Sequence, residues 1–215
     1  MFIKKMIKEY INNDVKLTKK ELITIICLLI VISGVTGWLY EVIFYYFNGG
    51  MKNFYMRSDN FLPWINIYTY GAFLVLFLTY KRRKHPIQVF TISVIATSIF
   101  EYLSGYILYG VLHWTKWWDY NKEILNFGNI DGYVCLRSML VFGLLSLALI
   151  YLIVPLLLKL VKSKKIKQDK LYLLSIIICS IILLDEIYNL IFPKILKIPG
   201  ALDVYTSLGI KYISF

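Results

Sequence analysis

Residues 22–47 read LITIICLLIVISGVTGWLYEVIFYYF, an apolar run whose single charge is Glu41. A helix needs about 20 apolar residues to cross a hydrocarbon core, and this run is longer than that. It is also too long for a signal-peptide core, and no small-x-small cleavage site follows it. It is therefore expected to remain in the chain as a span. Four further apolar runs lie near 61–80, 87–111, 133–158 and 171–192. Backbone polar groups in lipid must bond within their own segment, so each run is expected to be a helix. The expected fold class is all-α, a polytopic transmembrane helical bundle of about five spans.

Composition agrees. Of the 215 residues, 59% are hydrophobic and 17% charged, with a mean hydropathy of +0.64. A soluble domain carries roughly a quarter charged residues. The net charge of +11 does not point to nucleic acid, because the basic residues sit in short blocks between apolar runs, as they would beside an anionic inner leaflet. Cys27, Cys135 and Cys179 are widely spaced and odd in number, which reads as small apolar residues in membrane helices rather than a disulfide set.

Three regions are expected: a basic amphipathic segment at 1–20, a transmembrane domain at 21–192 and a C-terminal tail at 193–215. In the first, Phe2, Ile3, Met6, Ile7, Tyr10 and Ile11 share one helical face, and Lys4, Lys5, Lys8 and Asn12 share the other. Such a helix suits the membrane surface. Lysine and arginine set the orientation. Dense blocks fall in the N-terminal segment, at Lys81–Lys84 and between Lys159 and Lys170. With five spans all three lie on one side, which places the N-terminus inside and the C-terminus outside. Trp64, Trp114, Trp117 and Trp118, with Trp38 nearby, would then form an aromatic belt at the outer boundary.

The informative residues are acids within apolar runs: Glu41 in GWLYEVIF, Glu101 in SIFEYLSG, and Asp185 and Glu186 in LLDEIY. Carboxylates are costly in hydrocarbon and belong against protein or a water-filled cavity. By helical rise, Glu41, Glu101 and Asp185 lie about 9–15 Å from the outer ends of their spans. Gly34, Gly37, Trp38 and Tyr45 share a stripe with Glu41; Thr97, Ser98, Ser104 and Gly105 share one with Glu101. Small and polar residues of this kind let helices approach closely. Arg137 is the obvious cationic partner, with Arg57 next. The segment 113–132, HWTKWWDYNKEILNFGNIDG, joins aromatic anchors to Asp119, Asn126, Asn129 and Asp131, and could cover a cavity as a lid. Two readings stand side by side: an outward-facing polar site, and a set of structural bonds between helices.

Other chemistries find no motif. There is no GxxxxGK[ST], no HExxH and no GxSxG. His85 and His113 fall on opposite sides of the expected topology and cannot share a metal. No metal site and no cofactor are expected.

Several stretches resemble the ABC-transporter type IV permease family of bacterial membrane proteins, over about residues 30 to 190. Gly37, Trp38, Leu39 and Glu41 match its first motif; Arg57, Pro63, Ile67, Tyr68 and Gly71 match part of the second; Glu101, Tyr102 and Gly105 match the third. Trp117, Trp118, Asp119 and Tyr120, followed by Asn129, Gly132, Cys135 and Leu136, match the fourth, and Asp185 matches a late aspartate. The chain departs from the pattern at Met56, Ser58, Leu62, Asn66, Thr69 and Tyr133. The resemblance implies a transport permease that works with a separate ATPase subunit.

The function expected is thus that of a permease-type membrane subunit in a bacterial cytoplasmic membrane, with an outward-facing polar cavity for a solute or lipid-like substrate. Glu41, Arg57, Glu101, Asp119, Asn129, Arg137 and Asp185 are the expected substrate-binding residues. An intramembrane enzyme acting on a lipid or isoprenoid is a rival, as is a non-catalytic scaffold or sensor. Catalysis is the less favoured of these. Membrane lipid and an ATPase subunit are the expected partners, with no nucleic acid. A five-span chain is small for a transport pathway, which also points to a homo-oligomer. Reporter fusions at Lys84, Lys122, Lys165 and the C-terminus should report inside, outside, inside and outside; an inside C-terminus would overturn this topology.

Overall fold

The structure is a computed structural model that describes residues 7, 9–52, 54–113 and 116–211. Phe2, Ile3, Lys4, Lys5, Met6 and Lys8 of the amphipathic segment, and Trp114 of the expected belt, lie outside the described residues. Among the described residues the regular elements are helical, with one isolated bridge between Ile130 and Val134. The α-helices are α1 (Lys19–Asn48), α2 (Asn66–Thr79), α3 (Pro86–Gly105), α4 (Leu136–Ala148), α5 (Val154–Val161), α6 (Gln168–Ile191) and α7 (Ala201–Ser207). Wide π-helical turns at Tyr106–Val111 and Leu149–Ile153 extend α3 and join α4 to α5. The second of these turns lies just before Pro155. A proline lacks an N–H and clashes with the carbonyl a turn earlier, and a π turn accommodates both defects.

Among the described residues four helical stretches are long and apolar enough to cross a membrane: Lys19–Asn48, Pro86–Val111, Leu136–Val161 and Gln168–Ile191. They correspond to four of the five expected runs. The fifth differs. Residues 61–65 are not helical, and α2 begins only at Asn66, giving 14 residues. Pro63 is the local cause. It has no N–H to donate and pushes Leu62 toward extended backbone, so a helix cannot run through this point. At 1.5 Å per residue α2 spans about 21 Å, short of the roughly 30 Å of a hydrocarbon core.

The chain folds as two compact units, one from Lys19–Thr69 and Lys167–Ile213, the other chiefly from Met1–Thr18 and Tyr70–Ile166. The division falls inside α2. In the first unit α1 packs on α6. Lys20 Nζ meets Asp169 Oδ1 at 2.7 Å near the start of both helices, so the two run parallel. This ion pair is well exposed and contributes little. The tail folds back onto the same unit: Ala201 N–H donates to Asn189 Oδ1 at 2.7 Å, and Tyr205 Oη donates to Phe61 O at 2.9 Å.

Segment 57–65 lies against the middle of α1. Trp64 Nε1 donates to Ile30 O at 2.8 Å, and Ile65 N–H donates to Gly34 O at 3.2 Å. Trp64 is thereby 2% exposed, so it is a packed core residue rather than a member of an interfacial belt. From Lys20 to Gly34 the helix rises about 21 Å. The irregular segment therefore packs about halfway along α1, and α2 begins just after it. Glycine makes the approach possible. A Cβ on Gly34 would sit 1.9 Å from Trp64 Nε1, and one on Gly37 would sit 2.1 Å from the Tyr68 ring.

In the second unit α3 packs on α4, with Gly143 admitting Phe90 and Val94. Its basic end is fastened by Arg83, which donates to Tyr10 O at 3.1 Å and meets Asp14 at 2.6 Å. Tyr151 Oη donates to Arg83 O at 2.9 Å. Tyr10 is buried, and burial, with Tyr80 next in weight, pushes its phenol above the usual range. This residue of the expected lipid-facing surface thus faces protein.

Gly34→Val should lower the thermal midpoint of the purified protein, since the Trp64 ring cannot yield without losing its bond to Ile30. Overpacking of this kind costs about 1–3 kcal/mol or more. Gly71→Ala, where a Cβ meets nothing within 4 Å, should leave the midpoint unchanged.

Candidate functional site

Each unit carries its own polar network. In the unit of α1 and α6, Arg57 is 1% exposed and its Nε donates to Glu41 Oε2 at 2.9 Å. Its guanidinium also lies 3.9 Å from the centre of the Tyr45 ring. Tyr68 Oη donates to Glu41 Oε1 at 3.2 Å. One acid on α1 therefore holds the outer segment and α2 together. A buried pair of this geometry is costly to break, because the survivor is left as an uncompensated charge.

Asp185 and Glu186 on α6 grip the same segment from another direction. Asp185 Oδ1 accepts Phe61 N–H at 3.1 Å and Oδ2 accepts Leu62 N–H at 2.7 Å. Asn189 Nδ2 also donates to Asp185 Oδ1 at 2.8 Å. Glu186 Oε2 accepts Asn60 Nδ2 at 2.7 Å, and Oε1 accepts Asn66 Nδ2 at 2.6 Å. The segment completes its own bonding with Ser58, whose Oγ donates to Trp64 O at 2.7 Å and accepts Asn60 N–H at 3.1 Å. Ser58 has φ of +105°, a region few non-glycine residues adopt. The turn is held there from several sides.

In the other unit Glu101 is 4% exposed. Tyr120 Oη donates to its Oε1 at 2.5 Å, and Ser138 Oγ to its Oε2 at 2.8 Å. Burial first, then Glu101 beside it, pushes the Tyr120 phenol well above its ordinary range, so it keeps its proton at physiological pH. Arg137 pairs with Glu123, Nη2 to Oε2 at 2.6 Å, and lies over the Tyr120 ring at 5.1 Å. Asp119 Oδ1 accepts Asn121 N–H at 3.1 Å, its Oδ2 meets Lys116 at 3.4 Å, and its own N–H donates to Glu123 at 3.4 Å. Asn129 Oδ1 accepts Gly132 N–H at 2.9 Å, and its Nδ2 donates to Asn121 at 2.7 Å. Gly132 has φ of +77°, and a Cβ there would sit 2.6 Å from Asp119 Oδ1. Residues 117–135 thus form a bonded loop tied to α3 through Tyr120 and to α4 through Glu123.

The seven expected residues accordingly divide between two networks. Glu41, Arg57 and Asp185 belong to one, and Glu101, Asp119, Asn129 and Arg137 to the other. Tyr68, Asn60, Asn66, Tyr120, Glu123 and Ser138 complete them and were not among the seven. So does Glu186, which the sequence singled out as an acid within a span but which was not among the seven either. Glu123 follows WWDYNK, but Asp131 lies nearer to Arg137 in sequence, so spacing alone did not single Glu123 out. Asn60 and Asn66 bracket Pro63, a pattern that itself signals a polar turn.

The family described as "Putative ABC-transporter type IV" matches residues 28–190. The chain belongs to that family. The matched stretch includes every residue of both networks, from Glu41 to Glu186. No curated protein and no solved structure matches the chain. Membership and four long apolar helices together identify an ABC-transporter-type membrane protein.

Arg57→Met should destabilise the protein by about 3–5 kcal/mol, as breaking a buried pair usually does. Removing the surviving charge, in Arg57→Met with Glu41→Gln, should recover a large part of that loss in thermal melts. A double variant no better than the single would show that Arg57 acts by packing against Tyr45 instead.

Proposed function

We propose that this chain is the membrane subunit of an ABC-type transport system in a bacterial cytoplasmic membrane, driven by a separate ATPase subunit. The N-terminus lies inside and the C-terminus outside. Its polar residues in the outer half, Glu41, Arg57, Glu101, Asp119, Asn129, Arg137 and Asp185, would meet a solute or lipid-like substrate. The observation that carries this reading is the interrupted second span. Irregular backbone at membrane depth is tolerated where protein or a water-lined path surrounds it, and transporters commonly place substrate and ion sites at such broken helices. Here the break lies at Pro63 and the short α2 starts beside Glu186. Family membership supports the same reading.

One specific observation favours a second reading, that of a non-catalytic scaffold. Both oxygens of Glu41, Glu101, Asp185 and Glu186 already accept a hydrogen bond from protein. A structural network is closed in this way. In the permease reading, substrate must exchange with these bonds and release the loops they hold.

The test uses the full chain, affinity-tagged and purified from its native membrane into nanodiscs. A permease subunit should bring with it an ATPase of the ABC type, and Glu101→Gln should cut the ATP turnover of that complex at least tenfold while the partner is retained. An intact complex with unchanged turnover in Glu101→Gln and Asp185→Asn would favour the scaffold. A chain that carries no ATPase would remove the permease reading altogether.

A further inference from the structure

We propose that Glu101 is a proton-binding site, whose carboxyl carries a hydrogen at physiological pH and donates it to Ser138, joining α3 to the first turn of α4. The observation is a count of hydrogens around Ser138 Oγ. Three groups lie within hydrogen-bond reach of that one oxygen. Glu101 Oε2 is at 2.8 Å, Cys135 O is at 2.9 Å, and Cys135 N–H donates to it at 3.2 Å. A serine hydroxyl has one hydrogen to give and two lone pairs to accept with. The carbonyl of Cys135 only accepts, and so does an ionised Glu101. One hydrogen would then serve two acceptors, and one of the two oxygen–oxygen contacts would have none of its own.

A neutral Glu101 removes the conflict. Its Oε2–H donates to Ser138 Oγ, Ser138 Oγ–H donates to Cys135 O, and Cys135 N–H fills the remaining lone pair of Ser138. Tyr120, which keeps its own proton, donates to the carbonyl oxygen Oε1 at 2.5 Å. Each hydrogen then has its own acceptor. Location favours the same form. Glu101 is 4% exposed and lies within the long apolar stretch Pro86–Val111, where an ionised carboxylate is costly and a neutral acid much less so. The groups that face it are Tyr120 and Glu123 from loop 117–135, and Ser138 and Arg137 from α4. Glu123 and Arg137 carry opposite charges and pair with each other at 2.6 Å, so they oppose one another at Glu101.

Ser138 is the third residue of α4, and its bonds to Cys135 close the start of that helix. Once Glu101 ionises, the Ser138 hydrogen must choose between α3 and Cys135. Proton occupancy is therefore felt where loop 117–135 enters α4. The acid is one that the permease reading also uses, but the inference does not depend on that reading, because the proton is observed without substrate or ATPase.

Infrared spectroscopy of the full chain in nanodiscs decides it, with the glutamates carrying carbon-13 in their side-chain carboxyls. At pH 7.5 the wild type should show a glutamic-acid C=O band above the amide region, shifted by the label and again by exchange into heavy water. Glu101→Gln should lose that band; its amide can make the same bonds to Ser138 and Tyr120 as the neutral acid does. In Tyr120→Phe the band should persist and move to higher wavenumber, because the carbonyl loses its donor. A wild type with no glutamic-acid band at pH 7.5 would overturn the proposal before any variant is made. A band undiminished in Glu101→Gln would belong to another glutamate and overturn it equally. Should Glu101→Gln fail to fold, Tyr120→Phe carries the assignment: an upward shift supports Glu101, and an unmoved band refutes it.

Discussion

A bilayer interior has no water to bond with, so every backbone and side-chain polar group brought into it must find its partner in the protein. Segment 57–65 is where this constraint bears hardest. Pro63 denies it a helix, yet its contacts with Ile30 and Gly34 carry it to the middle of α1. Its exposed N–H groups cannot be left to lipid. Asp185 takes two of them, Ser58 takes another, and Ile65 reaches a carbonyl of α1. The acids of α6 and the glycines of α1 follow from the same need. Without a carboxylate at 185 the loop would lose two bonds at once, and without glycine at 34 it could not come close enough to make the rest.

The spans were legible because hydropathy is a property of each segment alone. The runs at 22–47, 87–111, 133–158 and 171–192 became helices close to those bounds. The run at 61–80 misled for the same reason. Phe61, Leu62, Trp64 and Ile65 are as apolar as any helix, and hydropathy weighs them without seeing that Pro63 removes the helix between them. The acids were legible too, since a carboxylate in such company is conspicuous. Their partners were not. Glu186 finds Asn60 and Asn66 more than a hundred positions away, and Glu101 finds a tyrosine and a serine on two later segments. Only the fold brings these together, and no local spacing announces them. Arg137 shows the same limit at short range: its partner is Glu123 in the outer loop, and the charge rule that singled it out favoured acids within the spans.

The two networks share a plan. Each has an arginine–glutamate pair that fastens a loop, Glu41 with Arg57 and Glu123 with Arg137, and each has acid held by neutral donors, Asp185 and Glu186 in one and Glu101 in the other. These bonds differ in what it takes to undo them. Parting an ion pair strands two charges, whereas a carboxylate held by amides or hydroxyls can trade one donor for another of the same kind and keep its own solvation nearly constant. The ion pairs are therefore the fixed points of each unit, and in the proposed permease the neutral-held acids are the positions at which a ligand would compete. In that reading a substrate hydroxyl would replace Tyr120 on Glu101 and leave the Glu123–Arg137 pair in place. Exchange there would free a loop, while the ion pair would keep it from leaving.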